Sequence, residues 1–270
     1  MKKIVTFLVL CILSLLFYSV KIEPYRLKVN EIELLDNDVS FKVVHFTDTH
    51  IKKDYKVKDL DKITNLINEA NADFIVFTGD LYDHYLSYND DNNLIALLTK
   101  LEANIAKIAI WGNHDYGGGA ENVYQSIMEE SGFNLIKNTN EIYTLDDGKR
   151  ILFTGIDDTM LGNPKTTTID DLSYDYALFL THEPDVIDNY SLDNYNMILA
   201  GHTHGGQIDI PFLPFINDMI LKIASFSSKY DAGLNKLEQE QYLYISTGLG
   251  TTKLSLRFNV VPEISIINIK

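Results

Sequence analysis

The chain has 270 residues, 46% of them hydrophobic and 23% charged, with a formal net charge of −15. That composition belongs to a folded protein rather than a disordered one. An acidic balance without a basic stripe excludes a typical nucleic-acid binder, so an anionic substrate has to be drawn by a local positive centre.

Met1-Lys2-Lys3 leads into IVTFLVLCILSLLFYSV (Ile4–Val20), seventeen residues without a charge. As helix they cover roughly 25 Å, the short end of a membrane crossing. The two lysines place the N-terminus on the cytoplasmic side and the remainder outside. A transmembrane signal anchor over residues 1–22 is preferred over a cleaved signal peptide, because no small-x-small site closes the run. A lipoprotein signal would use Cys11, but Leu10 stands where a small residue is required. The expectation is a single-pass protein of the cell membrane with residues 23–270 forming an extracytoplasmic domain. Cys11 is the sole cysteine, so that domain has no disulfide, thiolate metal site or cysteine nucleophile.

Strand-like and helix-like runs then alternate. SFKVVHF (Ser40–Phe46), DFIVF (Asp73–Phe77), KIAIW (Lys107–Trp111), RILFTGI (Arg150–Ile156), YALFL (Tyr176–Leu180), YNMILA (Tyr195–Ala200), QYLYIS (Gln241–Ser246) and VVPEISIIN (Val260–Asn268) read as largely buried strands. Val57–Ala70 places Leu60, Ile63, Ile67 and Ala70 on one helical stripe, and Asn92–Ala103 and Ala120–Ser131 are similar. The alternation predicts an α/β layered domain, and the strand-rich second half predicts a mixed sheet. Pro211–Ile223 is apolar but broken by prolines. It fits either a pocket lid or membrane-facing patch, or core packing under a second sheet.

The predicted strand ends carry the chemistry. FTDTH supplies Asp48 and His50, two apart and so on one side of extended chain. FTGDLYDH supplies Asp80 and Asp83, and WGNHDY supplies Asn113, His114 and Asp115. His182 follows YALFL, and His202 and His204 follow YNMILA within GHTHGGQ. Each piece alone has a bland explanation: D-x-H a solvated loop, G-D a turn, His182 a surface histidine. Together they take five of the seven histidines to one sheet edge, where sites form in α/β proteins. His45, inside a strand, reads as a core or pocket-wall residue, and His84 as lining the cleft. Carboxylate, imidazole and amide oxygen without sulfur suit Mn, Fe, Zn or Ni. Asp48, His50, Asp80, Asn113, His182, His202 and His204 are too many for one tetrahedral ion and suit two sharing a carboxylate, a clamp for displacement at phosphorus. Gln207 sits where a substrate would pass. Gly117–Gly119 could present amides to a phosphate or be a plain loop.

In order, Asp48-x-His50, Gly79-Asp80-x-x-Asp83, Gly112-Asn113-His114-Asp115, His182 and Gly201-His202-x-His204 resemble the calcineurin-like metallophosphoesterase superfamily over residues 48–204. The resemblance implies an αββα sandwich of two mixed sheets flanked by helices. It implies one metal on Asp48, His50 and His204, a second on Asn113, His182 and His202, and Asp80 bridging. His114 would assist the leaving oxygen, oriented by Asp83, while a metal-bridging hydroxide attacks a phosphodiester, phosphomonoester or pyrophosphate. KYDAGL, YISTGLGTT, LRF and PEISII further resemble the membrane-anchored bacterial branch, which includes a cell-wall-associated phosphoesterase and a hydrolase of UDP-diacylglucosamine. The substrate implied is therefore a small-molecule or lipid-linked phosphoester of the envelope. His84-Tyr85 stands where phosphoprotein phosphatases carry Arg-Gly, which argues against that activity. Neither G-x-S-x-G nor G-x-x-x-x-G-K-[ST] occurs. The competing class is a non-catalytic metal-binding scaffold, against which the intact ligand set argues.

Overall fold

The computed structural model describes residues 1–36, 38–165, 167–225, 229–237 and 241–270. In chain order they form α1 (Lys2–Lys21), β1 (Lys28–Leu34), β2 (Phe41–Phe46), α2 (Asp61–Glu69), β3 (Phe74–Phe77), α3 (Asp91–Leu98), β4 (Ala106–Ala109), α4 (Asn113–Tyr116), α5 (Tyr124–Glu130), β5 (Phe133–Leu135) and β6 (Thr139–Thr144). Then follow β7 (Arg150–Gly155), β8 (Tyr176–Leu180), β9 (Met197–Ala200), α6 (Pro214–Ser225), β10 (Gly233–Lys236), β11 (Tyr242–Ile245) and β12 (Glu263–Ile269).

The strands make two mixed sheets, β1-β12-β2-β3-β4-β5 and β10-β11-β9-β8-β7-β6. β2 to β5 are mutually parallel in the first, and β7, β8, β9 and β11 in the second. Val43, Phe74, Val76, Ile108 and Ile110 meet Ile151, Phe153, Leu178, Leu180, Met197 and Leu199 in a dry layer between them. Each such side chain contributes about 1.5–3 kcal/mol on burial, so this layer carries much of the fold's stability. α2, α3 and α5 cover the outer face of the first sheet through Ile63, Ile67, Leu94, Leu98 and Ile127. A 3₁₀ turn at Pro184–Asp188 lays Val186 on the outer face of the second. The expected sandwich is the observed one.

All the strands that hydrophobic patterning did not reveal are sheet edges: β1, β5, β6 and β10. KVNEIEL and TNEIYT are polar because an edge strand faces water along one side and is protected by charge. α1 is exposed from Ile4 to Phe17. Among the described residues it is the one helix long and apolar enough to cross a membrane, by length and composition. Pro211–Ile223 does not pack under the second sheet. Leu221 alone of its large apolar side chains is buried, while Phe212, Phe215 and Ile223 face outward.

Candidate metal centre

The parallel strands of both sheets deliver their C-terminal ends to one edge, and every predicted ligand lies within a few residues beyond such an end, in a loop or the first turn that follows it. Asp48 and His50 do not converge through extended chain. Asp48, His50, Asp80, His202 and His204 all hold φ between +41° and +68°. Left-handed backbone costs a non-glycine residue about 1–2 kcal/mol. The surrounding loops hold it in place: Asp48 N–H donates to Gly79 O (3.0 Å), and His50 N–H to Asp80 O (3.1 Å).

These turns assemble two adjoining groups. In one, His204 Nε2 lies 3.3 Å from Asp48 Oδ1 and 3.0 Å from His50 Nε2. In the other, His182 Nε2 lies 3.1 Å from Asp80 Oδ2, and His202 Nδ1 lies 3.1 Å from Asn113 Oδ1. Asp80 Oδ2 is also 3.4 Å from His50 Nε2, so this carboxylate stands between the groups. Asp48, His50 and His204, and likewise Asp80, His182 and His202, each bring ligand atoms close enough to hold one ion.

The hydrogen bonds behind the ligands set their tautomers. His182 Nδ1 donates to Thr78 O (2.7 Å) and His202 Nε2 to Ser225 O (2.8 Å), which leaves His182 Nε2 and His202 Nδ1 as lone pairs. His182 Nε2 and Asp48 Oδ1 are buried and make no hydrogen bond among the described residues. Acceptors facing acceptors in a dry site are costly unless a cation lies between them. The residues present therefore fit divalent metals. Without cations, two of the imidazoles, His50 and His182, hold protons instead. Burial opposes charge on His50, but the Asp48, Asp83 and Asp80 carboxylates outweigh it and lift its pKa to about 9. His182 is raised in the same way, against burial, by Asp80 and Asp48. Burial likewise works against ionised Asp80, yet His182, His114 and His50 hold it well below the usual carboxylate range. His202 and His204 are lowered, chiefly by burial.

His114 reaches the same space at the start of α4, its ring edge-on to that of His50 with centroids 4.6 Å apart. Its Nδ1 donates to the backbone carbonyl of Asp83 (2.6 Å). The Asp83 carboxylate instead lies 3.4 Å from His50 Nδ1 and 3.8 Å from Lys52 Nζ. Asp83 thus contacts both histidines, one with its main chain and one with its side chain. Burial lowers the pKa of His114.

Sequence patterns gave no role to three residues that support the site. Asp115 is fully buried and accepts from the amides of Asp80 (2.8 Å), Leu81 (2.9 Å) and Gly112 (2.9 Å), which ties the Asp80 turn to the Asn113 turn. Arg257, also fully buried, donates to the carbonyls of Thr247 (2.7 Å), Gly248 (3.1 Å) and Gly250 (2.6 Å), and its Nη2 lies 3.4 Å from His204 Nδ1. Ser225 fixes His202 from the end of α6. The signal for Asp115 was its place in G-N-H-D; for Arg257 and Ser225, only the fold reveals it. Gln207 does not face a substrate path. It is buried, donating to Thr252 O (3.0 Å) and accepting from Thr252 N (2.6 Å). His45 is a buried wall residue between the sheets, with Nε2 2.8 Å from Thr78 Oγ1. His84 is exposed and its Nδ1 lies 3.2 Å from Ser87 Oγ. At Gly112 a Cβ would fall 2.7 Å from Asp80 N and 2.9 Å from His182 Cε1, so only glycine lets the two turns approach this closely.

The family model of the calcineurin-like phosphoesterases matches residues 41–206, which contain every residue of both groups. The chain is 36% identical over 261 residues to an uncharacterized metallophosphoesterase, YkuE, of Bacillus subtilis, covering 94% of this chain and 89% of that one. It is 25% identical to the phosphodiesterase YaeI of Escherichia coli (87% and 84% covered). It is 26% identical to the UDP-2,3-diacylglucosamine pyrophosphatase LpxG of Chlamydia muridarum (84% and 82% covered).

Proposed function

The chain belongs to the calcineurin-like phosphoesterase family, whose members are metal-dependent phosphoric ester hydrolases, and from that premise we propose that it hydrolyses a phosphoester of the cell envelope with two divalent cations. The observation that carries this is Asp80 Oδ2, 3.4 Å from His50 Nε2 and 3.1 Å from His182 Nε2, a shared carboxylate between two sets of ligand atoms. Asp48, His50 and His204 would hold one ion, and Asn113, His182 and His202 the other. Bound there, the ions supply Lewis-acid polarisation of the phosphoryl oxygens and a water acidic enough to act at neutral pH.

The chain's own residues do the rest. His114, fixed through Nδ1 by the Asp83 carbonyl, turns Nε2 to the departing oxygen, where it would pass on a proton as charge develops there. Asp83, 3.4 Å from His50 Nδ1, orients that ligand. Asp115 holds the Asp80 and Asn113 turns in register. Residues 1–22 are an uncleaved anchor and residues 23–270 the hydrolase domain, outside the cytoplasm. A lipid-linked substrate is supported by α1 and by the UDP-2,3-diacylglucosamine pyrophosphatase among the relatives, whose named substrate carries two acyl chains.

The test is a panel of phosphomonoesters, phosphodiesters and lipid-linked pyrophosphates, run with Mn, Fe, Zn, Ni and Mg separately on protein of measured metal content. Turnover that depends on two bound ions is the expected result. Two ions bound with no turnover on any ester would replace the hydrolase with a metal-binding scaffold.

A further inference from the structure

α6 has 12 residues, about 18 Å of helix, too short to cross a bilayer. Its inner side is tied to the protein. Leu221 is buried, the Asn217 side chain accepts from Ile210 N (2.8 Å), and the Ser225 carbonyl accepts from His202. Phe215, Met219 and Ile223 recur every four residues on the outer side, 74%, 49% and 66% exposed, with Ile216 beside them. Just before the helix, Phe212 is 98% exposed and holds φ of +67°, a conformation unfavourable for a bulky side chain. Asp218 and Lys222 flank this apolar arc. A short, amphipathic, outward-facing helix of this kind is built to lie in a lipid interface.

The position of α1 identifies what covers it. The apolar run of α1 ends at Val20, and in that last turn the Ser19 carbonyl accepts from the backbone N–H of Arg257 (2.9 Å). Four residues earlier, Lys253 Nζ donates to the carbonyl of Ile223 at the end of α6. Four residues reach at most about 14 Å, so one short segment joins the foot of α1 to α6. Leu254 within that segment is itself 58% exposed. Exposed Lys21, Lys222 and Lys253 belong to the same region, where ammonium groups sit among lipid headgroups.

We infer that α6, with Phe212 and Leu254, docks on the outer surface of the same bilayer that α1 crosses. The inference rests on α1 being a retained anchor. It places the metal centre, tied to α6 through His202 and Ser225, about one short helix from the headgroups, where a membrane-borne phosphoester would enter.

The full-length protein, reconstituted in phosphatidylcholine–phosphatidylglycerol vesicles with a quencher on the acyl chains, tests this with a polarity-sensitive fluorophore. Native Cys11 reports α1. In a Cys11→Ser background, Phe215→Cys and Met219→Cys report α6. Leu35→Cys, exposed at the sheet edge opposite the metal centre, reports water. Lipid quenching at 11, 215 and 219 but not at 35 is expected. Quenching at 11, with 215 and 219 behaving like 35, would overturn the docking and leave the anchor standing. Blue-shifted emission at 215 that lipid does not quench would also overturn it, in favour of a second copy covering α6. An unquenched label at 11 removes the anchor, and the docking falls with it.

Discussion

Burial and the neighbouring Asp80 carboxylate push the Asp115 carboxyl up to about 7, so at pH 9 Asp115→Asn removes a charge that touches no substrate and still reaches the metal centre. All three partners of the Asp115 carboxylate are amide donors, at 2.8, 2.9 and 2.9 Å. An amide of the same shape offers one acceptor oxygen and one NH₂ group. In its better orientation it keeps the bonds from Asp80 and Gly112 but turns the NH₂ toward the Leu81 N–H. Hydrogen bonds to a charged group are worth about 1.5–3 kcal/mol and neutral ones about 0.5–1.5, while a buried unsatisfied donor costs about 1–3 kcal/mol. At pH 9 two weakened bonds and one donor facing a donor sum to a gross loss of about 3–5 kcal/mol, from which relief of the buried charge beside Asp80 subtracts, so the net loss should be about 1–3 kcal/mol of a typical domain's 5–15 kcal/mol. Urea unfolding of the metal-free full chain should show a lower midpoint with an unchanged slope. The Asp80 turn would shift as well, so the variant should bind metal more weakly. A destabilisation below about 1 kcal/mol, with wild-type metal affinity, would show that the three bonds do not hold these turns together.

His114→Ala should retain both metals by elemental analysis and lose about 10²–10⁴-fold in kcat; undiminished turnover would remove His114 from the leaving-group step. Gly112→Ala pushes a methyl toward Asp80 N and His182 Cε1, 2.7 and 2.9 Å away, so it should lose the ion held by Asn113, His182 and His202 before the other, read as one metal per chain instead of two. In the metal-free protein the raised pKa of His50 means that its charged form contributes stability fully below about pH 6.5 and loses it as pH rises through about 9, and His182, also raised, acts in the same direction. Cations need those imidazoles neutral, so the unfolding free energy gained on adding metal should grow over the same interval, each ion contributing about 2.7 kcal/mol at a hundred times its Kd; a gain independent of pH would contradict this.

The interior of the fold was legible because buried parallel strands are continuous apolar runs, as in FKVVHF and YALFL. The edges were not, since β1 and β6 are polar for the reason that makes them edges. The candidate ligands were legible for a related reason. Asp48, Asp80, Asn113, His182, His202 and His204 follow apolar runs directly, and a strand end in an α/β sheet is where polar groups gather. What chain spacing misjudged was the means of convergence. Asp48 and His50 share a centre because both residues are left-handed, and so are Asp80, His202 and His204. No periodicity encodes that, and the cost is met by contacts distant in sequence: Gly79 on Asp48, Asp115 on Asp80, Ser225 on His202. The same distance explains Gln207. Beside two ligands in the chain it looked like a substrate contact, yet its own φ of +62° turns it toward Thr252. There it braces the segment that joins α1 to α6, so GHTHGGQ contributes candidate ligands at one end and a clamp on that segment at the other.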